Sequence, residues 1–321
     1  MHINKNLIII ILAVLLVSSI AVNFFIEKHY ENKYKPKFSL ISPEIAWLEL
    51  GDFMEVQKQY SIEYQGLKTE MLAITENPTV DGTYGVYFED LNTGAWIGLN
   101  EKDEFVPASL LKVPMMVAVL KKVESGDIKL EDKVIIQADD LNTNSGTLWM
   151  KGGGYEITLK ELLVYMIKES DNTAVLTLHR YFLTDEDILE AKLAMGLPMG
   201  NHETYDSIGP KHYSNILRSL YYSAYLRRTL SELGLSIMSE TDYNAQIPAG
   251  VPDHIPISHK IGFYYGTDGS AGYHDCGIIY YPNKPYILCV MSKGTDKEEA
   301  DFVISRISQV TYEYVDKHFN D

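Results

Sequence analysis

Cysteine is nearly absent from this chain: Cys276 and Cys289 are the only two in 321 residues. Two thiols cannot make the disulfide framework of a small secreted domain or a four-thiolate metal site. Clustered positive charge is missing as well. There are 44 acidic residues against 28 basic ones, a formal net charge of −16. The only basic cluster, Lys28 to Lys37, follows an apolar N-terminal run. This argues against a nucleic-acid partner, which requires grouped Lys and Arg to meet phosphates. Nine histidines are scattered. Neither His254 with His259 nor His202 with His212 has a metal-ligand spacing in helix context, so no metal and no cofactor is expected. Gly152-Gly153-Gly154 is followed by no Lys-Ser or Lys-Thr and reads as a turn, not a phosphate cradle. Internal repeats and low-complexity tracts are also absent.

What is present is a composition able to bury a core, with 46% hydrophobic and 22% charged residues. Residues 7–26, "LIIIILAVLLVSSIAVNFFI", are apolar and uncharged, which reaches the roughly 20 residues needed to span a bilayer. Ser19-Ile20-Ala21 loosely resembles a signal-peptidase site. Because apolar residues continue past it, an uncleaved anchor is favoured over a removed signal. Lys5 precedes the run, and Lys28, Lys33, Lys35 and Lys37 follow it. Positive-inside counting alone would therefore put the body in the cytoplasm. Residues 27–79 read as a polar linker and a helical stalk, with Ser42-Pro43-Glu44 as a helix start.

After Asn77-Pro78 the stretch "TYGVYFEDLNTGAWIGLN" alternates, turns at Asn92-Thr93-Gly94 and alternates again, a hairpin signal. Residues 109–240 read mostly as helices, including "ITLKELLVYMIKES" with Thr158 as its cap. Strands return near Ile255, and a long helix ends the chain. This order predicts an α/β (α+β) fold in residues 80–321: an antiparallel sheet flanked by helices, with an inserted all-helical lobe at about 109–245. The segments either side of Pro282-Asn283-Lys284-Pro285 form a hairpin. If Tyr281 faces Tyr286, the two cysteines are diagonal neighbours, and packing thiols are expected ahead of a disulfide.

Three short motifs carry the chemistry. In "FVPASLLKVPMM", Ser109 and Lys112 are three apart at a helix start, so they share one face. A serine at its ordinary pKa is a weak nucleophile and needs such a base, and a helix N-terminus aims N–H groups at developing negative charge. Ser170-Asp171-Asn172 follows an apolar helix. Lys260-Ile261-Gly262 lies on an expected strand. The order Ser-x-x-Lys, Ser-Asp-Asn, Lys-x-Gly forms a known set, and on it residues 80–321 resemble the class A β-lactamases and penicillin-binding proteins. The hairpin ahead of Ser109 and the Ser109-to-Ser170 spacing are similar too.

The resemblance implies a β-lactamase/DD-peptidase-like fold and a serine hydrolase without cofactor or metal. Ser109 would form an acyl-enzyme, Lys112 would take its proton, and Ser170 would relay a proton to the leaving nitrogen. Asn172 would hold the substrate amide and Lys112. Lys260 would face a substrate carboxylate. The N–H groups of Ser109 and Phe263 would make an oxyanion hole, with Gly262 allowing close approach, and Asp171 would fix its loop. Two departures stand out. Ile261 replaces the usual hydroxyl residue of the third motif. In "LPMGNHETYDSIGPKHY" neither Glu203 nor Asp206 has the Glu-to-Asn spacing of the class A water-activating glutamate, so each is at best a candidate deacylation base. The implied substrate is a small-molecule β-lactam or a peptidoglycan D-alanyl peptide. The implied location is outside the cytoplasmic membrane, tethered by the N-terminal segment and against the charge count. A catalytically inactive membrane-tethered binding or scaffold protein on the same fold is the alternative, supported only by Ile261 and the unmatched loop.

Overall fold

The computed structural model describes Leu40 and residues 64–197, 207–266 and 269–319. Strands β1 (Thr83–Asp90) and β2 (Trp96–Leu99) form the expected hairpin; Gly94, at φ 71°, donates its N–H to Asp90 O at 2.8 Å. Positive φ at that turn is what glycine supplies without steric cost. From the C-terminal part come β5 (Ile257–Tyr265), β6 (Ala271–Ile279) and β7 (Tyr286–Lys293). The five strands make one antiparallel sheet in the order β2-β1-β7-β6-β5, so β5 has a free edge. A small ribbon of β3 (Lys133–Ile135) and β4 (Glu156–Thr158) is closed by the glycine turn, where Gly152 and Gly154 have positive φ.

Both faces of the sheet are covered. On one lies the helical lobe: α2 (Lys112–Ser125), α3 (Leu159–Lys168), α4 (Asn172–Tyr181), α5 (Asp185–Ala194), α6 (Pro210–Tyr221) and α7 (Arg228–Met238). Helix α2 is its axis. Every residue from Lys112 to Leu120 is buried, the all-round burial of a core helix. Thr158 caps α3 as expected, accepting the Glu161 N–H at 3.2 Å while Glu161 reaches back to the Thr158 N–H.

On the opposite face pack α1 (Gln65–Thr75) and α8 (Lys297–Phe319). Residues 65–75 are therefore not the stalk that the sequence suggested. Leu67 and Met71 are fully buried in the same cluster as Phe88, Val290 and Ile304. A one-sided apolar helix reads alike whether its partner is another stalk or a sheet, and only the sheet supplies the missing surface. The expected anchor, and the expected linker and stalk up to residue 63, fall outside the described residues, Leu40 apart. Among the described residues no helix is long and apolar enough to cross a membrane.

The second correction concerns the cysteines. Cys276 faces Cys289 directly, and the two form a disulfide. The β6–β7 loop is longer than the sequence reading assumed. Tyr280 gives its N–H to Pro256 O, and the turn closes from Lys284 N to Tyr281 O with Pro282 second and Asn283 at φ 57°. That is the residue preference of a type II turn. It ends the pairing at Ile279–Tyr286 and moves the register by two, turning diagonal thiols into opposed ones.

Candidate functional site

The three motifs converge where α2 begins, beside the free edge of β5. Ser109 lies in a short 3-10 turn, Ala108–Leu111, that runs into α2, so its N–H precedes any helical acceptor. Ala108 enters that turn at φ 49°, a region a non-glycine residue adopts only when its surroundings hold it there. Behind the turn the Tyr213 hydroxyl, fully buried on α6, donates to Leu110 O at 3.1 Å.

Lys112 is the first residue of α2 and is 5% exposed. Its Nζ donates to Ser170 O at 2.5 Å, Ser170 Oγ at 3.1 Å and Asn172 Oδ1 at 2.8 Å. Burial pushes the amine down to about 8, against the pull of the nearby Asp171 carboxylate. An amine with that pKa has a sizeable neutral fraction near neutral pH and can accept a proton.

The loop that meets Lys112 is held from below. Asp171 caps α4, accepting the Ala174 N–H at 2.8 Å, and its other oxygen accepts the Leu148 N–H at 2.8 Å. Burial raises its pKa, opposed by those two backbone donors. Ser170 sits at φ 56°, so its carbonyl and hydroxyl both turn toward Lys112. Asn172 gives its own N–H to Ser145 O at 3.1 Å. Gly146 supports this loop and was not singled out in the sequence: a Cβ there would stand 2.0 Å from Asp171 Oδ2. Its only signal is a glycine within a Ser/Thr/Asn run, which reads as any turn.

Across the cleft, Lys260 is fully buried on β5, and its Nζ donates to Ile261 O at 3.1 Å. Burial first, and the Lys112 charge second, push it down to about 7, with Asp275 pulling upward. Asp275 is itself held by His259 Nδ1 and the Ile247 N–H, at 2.8 and 3.0 Å. Gly262 faces the serine turn, where a Cβ would lie 2.7 Å from Pro107 O and 3.0 Å from Leu110 Cγ. Only glycine lets the strand come this near.

Phe263 lies opposite Tyr273, whose N–H and C=O both bond to the Ser292 hydroxyl on the β7 side. In an antiparallel ladder such a residue bonds to one neighbour only, so the Phe263 N–H points away from β6, off the free edge. The cleft thus has two backbone donors on facing elements, two buried amines and two hydroxyls, a set suited to acyl transfer.

Seven of the residues singled out in the sequence therefore meet: Ser109, Lys112, Ser170, Asn172, Lys260, Gly262 and Phe263. Ile261 is half-buried on the same strand. Glu203 and Asp206 lie outside the described residues. Ile208 forms a bridge with Phe105 just ahead of the serine turn.

Known proteins resemble this chain in sequence and fold. The chain is 24% identical over 280 residues to β-lactamase VEB-1 of Pseudomonas aeruginosa, covering 79% of this chain and 94% of that protein. It is 27% identical over 246 residues to β-lactamase 3 of Bacillus cereus, covering 71% and 74%. Among solved structures, PBP-A superposes with a TM-score of 0.69 at 22% identity, over 79% of this chain and 97% of that one. A β-lactamase of Chitinophaga pinensis superposes at 0.71, also at 22% identity, over 78% and 100%. The model of the Beta-lactamase enzyme family matches residues 67–315, from the helix behind the sheet to the final helix, and the chain belongs to that family.

Proposed function

We propose that this serine hydrolase opens an amide bond, in a β-lactam or a D-alanyl peptide, by forming an acyl-enzyme at Ser109. The observation that carries the reading is Lys112: a buried amine with a lowered pKa, one helical turn from Ser109, hydrogen-bonded to Ser170 and Asn172. In its neutral form Lys112 takes the Ser109 proton as Oγ attacks the carbonyl carbon. The N–H groups of Ser109 and Phe263 receive the negative charge that forms on the carbonyl oxygen. As the C–N bond breaks, the proton passes from Lys112 through the Ser170 hydroxyl to the leaving nitrogen, and the acyl group stays on Ser109. Lys260 supplies positive charge for a substrate carboxylate, and Asn172 a side-chain amide for the acyl part.

The body of the protein is proposed to lie outside the cytoplasmic membrane, tethered by residues 7–26. The Cys276–Cys289 disulfide supports this, since disulfides persist mainly in oxidising compartments. Protease added to intact, wall-stripped cells should digest the body; full protection would refute the placement.

Intact-protein mass spectrometry with a penicillin tests the chemistry. A mass increase is expected in the parent and absent in Ser109→Ala. A lasting adduct would mark a penicillin-binding peptidase, and a transient one with drug consumption a β-lactamase. No adduct in the parent would remove β-lactams from the reading.

A further inference from the structure

One buried histidine has no part in that chemistry yet touches the machinery from behind. His274 on β6 is fully buried, opposite Gly262 of β5 and Met291 of β7. Both of its ring nitrogens are engaged. The Ser292 backbone N–H lies 3.1 Å from Nδ1, and Val106 O lies 2.8 Å from Nε2. A backbone N–H can only donate, so Nδ1 accepts, and the ring proton sits on Nε2 and is given to Val106 O. Burial lowers the imidazole to about 4, so the neutral ring needed for this pair of bonds persists at ordinary pH.

Val106 begins the segment that carries the serine. It is followed by Pro107, whose carbonyl meets Gly262, by Ala108 at φ 49°, and by Ser109. A turn held at an unfavourable φ relaxes unless something outside it prevents that. Phe105 before it is fixed by its bridge to Ile208. At Val106 the fixing bond comes from β6, the strand that also bears β5. One side chain thus ties the turn holding the Ser109 N–H to the sheet holding the Phe263 N–H.

We propose that His274 is a positioning residue for acylation: through Nε2–H to Val106 O it sets the Val106–Ser109 turn against β5, and so the separation of the two oxyanion donors. The inference rests on the acyl-transfer reading above. It also separates two bonds that a packing role would treat alike. Asparagine at 274 can present an acceptor near the Nδ1 position to Ser292 but does not reach Val106. Glutamine extends a donor as far as Nε2 and gives up the Ser292 contact.

The experiment measures the rate constant of penicillin acylation in His274→Asn and His274→Gln, with melting temperatures beside it. A displacement of the turn on the order of 1 Å predicts a loss on the order of 10²-fold in the asparagine variant. Substrate affinity should change little, and the glutamine variant should act near the parent rate. Equal losses in both, or losses that follow melting temperature, would make His274 a packing residue only. Parent-like rates in both would overturn the proposal as well. Amide hydrogen exchange over Val106–Leu110 without substrate keeps the test independent of the acylation reading. Faster exchange in the asparagine variant alone supports the tether, and equal exchange in both refutes it, even if the parent forms no adduct.

Discussion

The two walls of the cleft each carry a buried lysine, and the walls treat their lysines differently. On the helical side Lys112 has three oxygens around its Nζ, from the carbonyl and hydroxyl of Ser170 and the amide of Asn172. On the strand side Lys260 is less exposed still, yet its Nζ meets one backbone carbonyl. An ammonium has three donors. Those of Lys112 are engaged before substrate arrives, whereas Lys260 keeps donors uncommitted at the edge of the sheet. The difference fits the two jobs proposed above: an amine placed to exchange a proton, and a charge left for an anion to meet.

The largest effect should come from the proton-exchanging side. Lys112→Met removes the base, and the rate of adduct formation at Ser109 should fall on the order of 10³-fold, the scale of general-base catalysis. A rate within tenfold of the parent would mean that another group takes the proton.

Lys260→Met should act mainly on binding. Affinity for a penicillin, which bears a carboxylate, should fall more than tenfold, while acylation by an uncharged ester donor changes less. An equal loss for both donors would erase the contrast between the walls.

pH sharpens the comparison. The neutral fraction of Lys112 grows as pH rises through about 8, and the charged fraction of Lys260 shrinks as pH rises through about 7. The acylation rate of bound substrate should therefore climb toward alkaline pH, while affinity for an anionic substrate declines. Their product, the acylation rate divided by the dissociation constant, followed from pH 6 to 9, should form a bell centred between the two values. A single rising limb in both quantities would show that Lys260 does not meet the carboxylate.

Stability provides the next test. Both amines bind protons less readily folded than unfolded, so between about 7 and the ordinary lysine range near 10 the unfolded chain carries more protons. Stability from these groups is lowest below about 7 and recovers as pH rises. Lys260→Met should accordingly raise the melting temperature at pH 6, with the gain shrinking toward pH 10. A constant gain across that range would mean packing, not charge burial, is responsible.

The smallest effect is expected at Asp171. Asp171→Asn weakens the helix cap and the Leu148 contact, costing about 1–2 kcal/mol of stability. Denaturant unfolding measures it, and a change below a few tenths would show that Gly146 and its neighbours hold the loop without the carboxylate.

Much of this site was legible in the sequence because its parts are local. Ser109 and Lys112 sit three apart where one helix begins, Ser170 and Asn172 flank the residue that caps another, and Lys260 and Gly262 share one face of one strand. Spacing alone fixes those relations. The disulfide was misread because register depends on where a turn closes, and Pro282 and Asn283 close it two residues' worth from the simple hairpin. The role of residues 65–75 was misread because an amphipathic helix does not name its partner. Gly146 and His274 were invisible as site residues for the same reason: the groups they touch, Asp171 and Val106, are brought to them only by the fold.

The strand order also has a consequence in time. The N-terminal hairpin of β1 and β2 cannot take its place until β7 exists, since Thr83 pairs with Lys293 and the whole helical lobe lies between them in the chain. Pairings this distant in sequence are slow to form and leave strand edges open while they wait. The serine turn and the β5 edge belong to opposite ends of that closure. The reactive cleft therefore needs both parts of the chain, and a nascent or truncated chain lacking β5 to β7 has no second wall to face Ser109 and Lys112.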